Sequence, residues 1–479
     1  MHVSRPITVG FISLGCAKNL VDSEIIATGL TAAGFRLAPA PKYADVVIVN
    51  TCAFIRDAKA ESIDAVLEAC AWKQRGRCRV VLVAGCLSQR YRREIQSLLP
   101  EVDAFIGLDE LNQAGVVIRR VLRGERCVAV IAPRAQAVLE PPGNRLLFTG
   151  APYAYVKIAE GCNHTCAFCA IPQIRGRYRS RPIKSIVAEA EDLLSHGIRE
   201  LNLIAQDTTS YGLDLGARTN LPALLRALGR IGGEFWIRVL YGHPAHVTAA
   251  LLDAMGAVEQ VCHYLDLPIQ HSAAAILRAM RRPGSAERLR RTFGPIRAAL
   301  PGVTLRTTCL VGFPGETKRQ FRNLLAFLEE IRFDHVAVFT YSKEENTPAA
   351  RLPCRVPTAE AQRRKQCLML RQKRIVDEAA MAQIGRSDDL LVERYDRKRR
   401  LWVARSRGQA PDVDGVVYVS APANGLTPGA LIRGRYVAAA GYDLRAVIDK
   451  SMHRNLDVCS RAHKGVDFTG GHGVIAAAT

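Results

Sequence analysis

The strongest constraint on the fold of this chain is a repeated alternation of short apolar runs with helical stretches. Val9–Gly15, Asp45–Asn50 and Arg79–Gly85 read as strands, each followed by a helical stretch: Asp22–Ala33, Ile55–Trp72 and Ser88–Leu99. Near-continuous Val/Ile runs need cover on both faces. Residues 1–133 are therefore expected to form a small doubly wound α/β domain around a parallel sheet. From Ala154 to about Ser342 the alternation resumes in six units. Their strands lie near Ala154–Ile158, Glu200–Gln206, Trp236–Tyr241, Tyr264–Ile269, Thr304–Val311 and His335–Tyr341. Repeated units of this kind close into a full or partial barrel, so 148–383 is expected to be a partial (β/α)6 barrel with a following helix over 358–383. A third pattern occupies 384–450. Leu390–Val392, Leu401–Ala404, Val416–Val419, Leu431–Val437 and Leu444–Ile448 are separated by turns rich in Gly, Pro and Asp, which predicts a small all-β barrel. Residues 451–479 read as a disordered tail.

Chemistry enters at Glu160-Gly161-Cys162-Asn163-His164-Thr165-Cys166-Ala167-Phe168-Cys169, directly after the first strand of the six-unit repeat. Cys162, Cys166 and Cys169 stand at C-x3-C-x2-C spacing on one short loop, which wraps three thiolates around one metal centre and supplies no fourth. A structural zinc site closes all four positions, whereas an open position is built for chemistry. Thiolates select zinc, copper(I) or iron–sulfur clusters. A zinc knuckle or plain buried thiols are the ordinary alternatives, but the spacing is not the paired C-x2-C of a zinc ribbon.

Three more cysteines recur at one structural place in the first domain. Cys16, Cys52 and Cys86 each follow a strand, at the edge where open α/β sheets bind ligands. Neighbouring strands run about 4.7–4.9 Å apart, close enough for three such thiols to share one centre. Gly15 and Gly85, just before two of them, permit close backbone approach. Cys70, Cys78 and Cys127 read instead as small buried hydrophobes. Around the rim of the expected barrel stand Gln206 and Asp207 after its second strand, Tyr241 and His243 after its third, Gln270 and His271 after its fourth, and Gly312–Glu316 after its fifth. Singly, such residues often only cap the next helix. As a ring around an open metal loop they read as a ligand site.

Fourteen cysteines without a leader or cleavage pattern argue for metal or redox work in a reducing compartment, and the chain is expected to be cytoplasmic with no membrane partner. The formal net charge of +21 points to an anionic partner such as RNA or the ribosome. The turn Asp396-Arg397-Lys398-Arg399-Arg400 is either a phosphate contact or a solvated hairpin.

The cysteine loop after the first strand of a β/α barrel resembles the signature of the radical S-adenosylmethionine (SAM) enzymes. With three strand-end cysteines upstream and a small β-barrel downstream, the chain resembles the methylthiotransferases over roughly residues 7 to 450. The wording of Ser13–Glu24 (SLGCAKNLVDSE), Asn50–Ile55 (NTCAFI), Leu203–Asp207 (LIAQD) and Tyr341–Glu345 (YSKEE) is similar to the RimO-type branch. That resemblance implies two 4Fe–4S clusters, one on Cys162, Cys166 and Cys169, the other on Cys16, Cys52 and Cys86. It implies SAM bound near Phe168, Gln206, Asp207, Gln270, Gly312 and Gly315, and split to a deoxyadenosyl radical. It further implies an electron donor such as flavodoxin or ferredoxin, and a TRAM-like terminal barrel that holds the substrate. The implied reaction adds a methylthio group to the β-carbon of an aspartate in the small-subunit ribosomal protein number twelve, with ribosomal RNA nearby. Residues 386–450 hold twelve Lys/Arg against eight Asp/Glu, a balance that suits RNA. A MiaB-like transfer to adenosine in tRNA is therefore the alternative, and a non-catalytic zinc-dependent RNA-binding protein a more distant one.

Overall fold

The computed structural model describes residues 5–216 and 218–449. These fall into two compact units, one ending at Ile375 and one beginning at Val376. The expected tail over 451–479 lies outside the described residues.

The first unit begins with six strands, all parallel. In sheet order they are Arg36–Leu37, Thr8–Ser13, Val46–Thr51, Val80–Gly85, Ala104–Ile106 and Val128–Val130. Alternate residues of the central strands serve two different cores. Val47, Val49, Val81, Val83 and Phe105 pack on one face, and Val46, Ile48, Val80, Leu82, Ala104 and Ile106 on the other. This is the two-sided cover that the continuous Val/Ile runs require. Sequence reasoning misses Ala104–Ile106 and Val128–Val130, which are too short to show a period. The helix expected from Asp22 starts at Ala17 instead, with Cys16 as its N-cap. The helix expected over Ser88–Leu99 is broken into Cys86–Arg90 and Ile95–Leu98.

Six further parallel strands form the second sheet, in the order Tyr153–Lys157, Glu200–Ile204, Trp236–Val239, Val261–Asp266, Thr304–Val311 and His335–Thr340. Sequential order with a helix between successive strands is the open (β/α)6 arrangement. Its large core lies between the sheet and those helices and includes Val156, Leu203, Val239, Leu265, Val311 and Val338. The stretch between the two sheets is not a loose spacer. Arg145 is buried, donates to Tyr155 O at 2.7 Å and pairs with Glu189 at 2.9 Å, while Phe148 N donates to Glu24 at 2.9 Å.

The second unit is a closed five-stranded barrel of Ser387–Asp396, Leu401–Ser406, Val417–Ser420, Asp443–Ile448 and Leu431–Ala440. Inward-facing Leu390, Val392, Trp402, Ala404, Val417, Val419, Tyr436 and Ala446 fill it. Closure removes the exposed edges that five short strands would otherwise offer to another chain.

Candidate active site

Strand register assembles the first cysteine trio. Ser13 pairs with Asn50, and Thr51 with Gly85, so Cys16, Cys52 and Cys86 emerge together just past the ends of three adjacent strands. Gly15 and Gly85 both have φ of +90°. A Cβ on Gly15 would fall 2.8 Å from Cys52 Cβ, and one on Gly85 2.2 Å from Asn50 Oδ1. Only glycine fits either place. A polar brace then holds the turns. Asn19 Nδ2 donates to Leu14 O and Thr51 O, both at 2.9 Å, and Asn50 Nδ2 donates to Asn19 O at 2.7 Å. Ser62 accepts from Cys52 N and donates to Cys52 O, both at 2.9 Å.

The environment splits the three thiols. Burial pushes Cys52 up to about 12, with the neighbouring Cys86 and Cys16 adding to the shift. Cys86 is also raised, again by burial first. Burial acts on Cys16 too, but Lys18, Arg175 and the backbone N–H groups of Asn19 and Lys18 outweigh it and hold that thiol below its ordinary value.

The second trio sits on the loop after strand Tyr153–Lys157. Gly161 (φ +73°) opens the loop, because a Cβ there would meet Arg177 O at 2.1 Å. Cys162 N donates to Gly176 O at 3.1 Å, Ala167 N to Met280 O at 2.9 Å, and Ile171 N to Cys169 Sγ at 3.4 Å. Burial raises Cys162 to about 11 and Cys169 to about 12, and Cys166 adds to both. Arg282 Nη1 lies 3.7 Å from Cys166 Sγ, the one cation found against that sulfur among the described residues.

The expected rim residues divide by what already occupies them. Gln206 keeps both amide atoms buried with no partner among the described residues. Asp207, next to it, is saturated by its own surroundings. Thr209 N and Oγ1 donate to Oδ1, while His164, Ser210 and His246 bind Oδ2 at 2.7, 2.7 and 3.0 Å. Burial opposes ionisation there, but these donors hold the carboxyl far below the usual range. His164 also stacks on His243 at 4.5 Å between centroids, and burial drops His243 to about 3, so that ring is neutral. Gln270 holds a left-handed φ of +66° while its N–H donates to Thr308 O at 2.9 Å, stitching the rim to the next strand. Phe168 packs on the small core of Ala167, Leu277, Met280 and Phe313. Gly312 and Gly315 both have positive φ, and Gly312 N donates to Glu316. Glu316 is not in a first helical turn, since that helix starts at Lys318 with Thr317 as cap. It pairs instead with Arg364 at 3.0 Å and His271 at 3.4 Å.

Between the two trios lies a cluster that sequence reasoning does not find. Asp22, Lys157, Glu160 and Arg175 are all buried. Lys157 pairs with Asp22 at 2.5 Å and Glu160 at 3.0 Å, and Arg175 with Asp22 at 2.8 Å and Glu160 at 2.9 Å. Arg175 also donates to Asn19 Oδ1 at 2.6 Å, and that oxygen lies 3.7 Å from Cys86 Sγ. Two cations and two anions cancel, which makes burial of all four tolerable. One half of the cluster leads to Cys86, and Glu160 stands two residues before Cys162. The only advance signal is charge within buried elements: a lysine in the strand Tyr153–Lys157 and an aspartate in the run Leu20-Val21-Asp22.

Comparison with known proteins follows the same division of the chain. Residues 8–107 match the family described as "Uncharacterized protein family UPF0004", residues 156–328 the "Radical SAM superfamily", and residues 384–448 the "TRAM domain". A protein of Syntrophus aciditrophicus named ribosomal protein uS12 methylthiotransferase RimO is 43% identical over 450 residues, spanning 93% of this chain and 99% of that relative. One of the same name from Symbiobacterium thermophilum is 44% identical over 442 residues, 92% of this chain and 90% of its own. Among solved structures, the radical SAM methyltransferase TsrM of Kitasatospora setae, with cobalamin and a [4Fe-4S] cluster bound, superposes with a TM-score of 0.53. It is 14% identical and covers 72% of this chain and 77% of its own, a likeness of fold.

Proposed function

The chain belongs to the RimO-type family of radical SAM methylthiotransferases, and on that premise we propose how its residues share the methylthiolation of ribosomal protein uS12. The enzyme uses an iron–sulfur cluster and SAM. The observation that carries the division of labour is the pair of three-cysteine sites at strand ends, joined through one neutral buried charge cluster. Cys162, Cys166 and Cys169 hold one 4Fe–4S cluster, and Cys16, Cys52 and Cys86 a second. The residues fit such groups. Among the described residues each trio offers three sulfur donors and no fourth, and mutual repulsion among their buried thiolates would be relieved by a cation-rich centre. The unpartnered Gln206 amide fits a polar ligand at the barrel rim.

When bound, the reduced cluster and SAM supply a radical that takes hydrogen from an unactivated carbon, which no side chain here could do. The chain's own residues bind and orient. Gln206 and Gln270 present amides to the cofactor, Phe168 covers its apolar part, and Gly312 and Gly315 let backbone approach it. Asp207 acts through His164, fixing the loop that carries the cysteines. Arg282 compensates charge at Cys166. Residues 1–133 house the sulfur-delivering centre, 148–383 the radical centre, and 384–450 the docking barrel for uS12 in its setting of ribosomal RNA. The target is the β-carbon of a uS12 aspartate, the reductant is a flavodoxin or ferredoxin, and the setting is the cytoplasm. Among the described residues no helix is long and apolar enough to cross a membrane.

Anaerobic incubation of the full chain with SAM, a reductant and purified uS12 tests this reading by mass spectrometry. Replacing one hydrogen by a methylthio group should add about 46 Da to uS12. An unchanged uS12 together with methylthiolated adenosine in added tRNA would replace this reading with the tRNA one.

A further inference from the structure

Among the described residues, Lys18 is a buried cation without a carboxylate partner. It stands two residues after Cys16 in the first turn of helix Ala17–Ala32 and keeps 8% of its surface exposed. Its ammonium lies 3.5 Å from the ring centroid of Tyr241, at the end of the barrel strand Trp236–Val239. Among the described residues no carboxylate comes within ion-pair distance of it. Asp22, one turn along the same helix, is taken by Lys157 and Arg175. Arg175, the other cation near Cys16, is compensated by Asp22 and Glu160. A buried ammonium whose company is an aromatic face and the Cys16 sulfur, with no carboxylate, keeps part of its desolvation cost unmet. Such a site is complete only when an anion joins it.

The place of Lys18 narrows what that anion is. One flank is the strand-end trio, through Cys16. The other is the barrel rim, because Tyr241 is followed by His243, whose ring stacks on His164 of the cysteine loop. Hydrogen removal at one centre and sulfur delivery from the other must converge on a single carbon, so substrate has to enter between them. In an aspartate the β-carbon is bonded directly to the carboxylate carbon. A cation that grips the carboxylate therefore fixes the reacting carbon as well, and an adenine offers it no anion to grip.

We propose that Lys18 is a specificity and positioning residue that binds the carboxylate of the target aspartate, with the Tyr241 ring as the platform that holds its ammonium in place. This rests on the reading of uS12 as substrate. Tyr241 suits the part: its φ of +61° is unusual for a non-glycine residue, and its N–H donates to Asp266 at 3.1 Å. The turn is fixed before substrate arrives.

The test compares wild type, Lys18→Met and Lys18→Arg as anaerobically reconstituted full-length proteins. The substrates are uS12 and uS12 with its target aspartate changed to asparagine. Lys18→Met should keep its iron content, the electron paramagnetic resonance signals of its clusters and its substrate-free formation of deoxyadenosine. Its KM for uS12 should rise about 10- to 100-fold, the size of one charge-assisted hydrogen bond lost. Its preference for aspartate over asparagine should fall toward one, and Lys18→Arg should restore most of that preference. Three results would overturn the assignment: an unchanged preference in Lys18→Met, a rise in KM for SAM rather than uS12, or altered cluster signals with intact selectivity. The last would make Lys18 a counter-charge for the auxiliary centre only. Wild-type protein that forms deoxyadenosine but leaves uS12 unmodified would instead remove the substrate reading on which the proposal stands.

Discussion

Cys162, Cys166 and Cys169 share one short loop, whereas Cys16, Cys52 and Cys86 arrive from three separate strand ends. Both arrangements bring three thiols together, yet they depend on different things. The loop trio is shaped by its own backbone and a few bonds to the turns at Gly176 and Met280. The strand-end trio depends on the register of a whole sheet, and a slip of one residue would send each side chain to the opposite face. Damage to local geometry should therefore silence the first centre alone, while damage to domain stability should reach the second.

The largest expected effect is on Cys166→Ala, which should reduce deoxyadenosine formation to background while the iron of the strand-end centre stays. Loss of all iron would break the distinction between the two centres. Cys52→Ala should make the converse case. Methylthiolated uS12 should vanish from the mass spectrum, with SAM cleavage within about twofold of wild type, as expected of independent sites. Equal loss of both activities would argue that the trios act as one.

Arg175→Met sharpens the comparison from the middle. It leaves Asp22 and Glu160 with one buried cation between them, so unfolding in denaturant should show a loss of about 3–5 kcal/mol. A loss below about 1 kcal/mol would mean that water or rearrangement compensates the pair. Smallest is Gly85→Ala. Its φ of +90° and the 2.2 Å approach to Asn50 predict about 1–3 kcal/mol of destabilisation, with iron lost only from the strand-end centre. Gly34→Ala, at φ +88° but with open space around it, is the control, expected to cost about 1–2 kcal/mol and no iron.

Much of the site is legible along the chain because spacing reports local geometry. C-x3-C-x2-C states its own loop, Gly15-Cys16 and Gly85-Cys86 state tight turns, and the expected strand Thr304–Val311 appears unchanged. Other features are illegible for equally physical reasons. The strands Arg36–Leu37, Ala104–Ile106 and Val128–Val130 are too short to carry a period. Asp207 looks like a free rim ligand until the fold gives it His164, Ser210 and His246.

The amino-acid sequence by itself determined the order of sheet, partial barrel and closed barrel, and the placing of three cysteines on one loop and three at strand ends, since apolar periodicity and cysteine spacing are properties of neighbours in the chain. Only the tertiary structure decided which buried charges meet. Lys157 reaches Asp22 across 135 residues, Arg175 reaches it across 153, and Lys18 is left beside Tyr241 with no carboxylate partner among the described residues. Charge compensation is a property of neighbours in space. It links the two cysteine trios and, among the described residues, leaves one cation without a carboxylate partner.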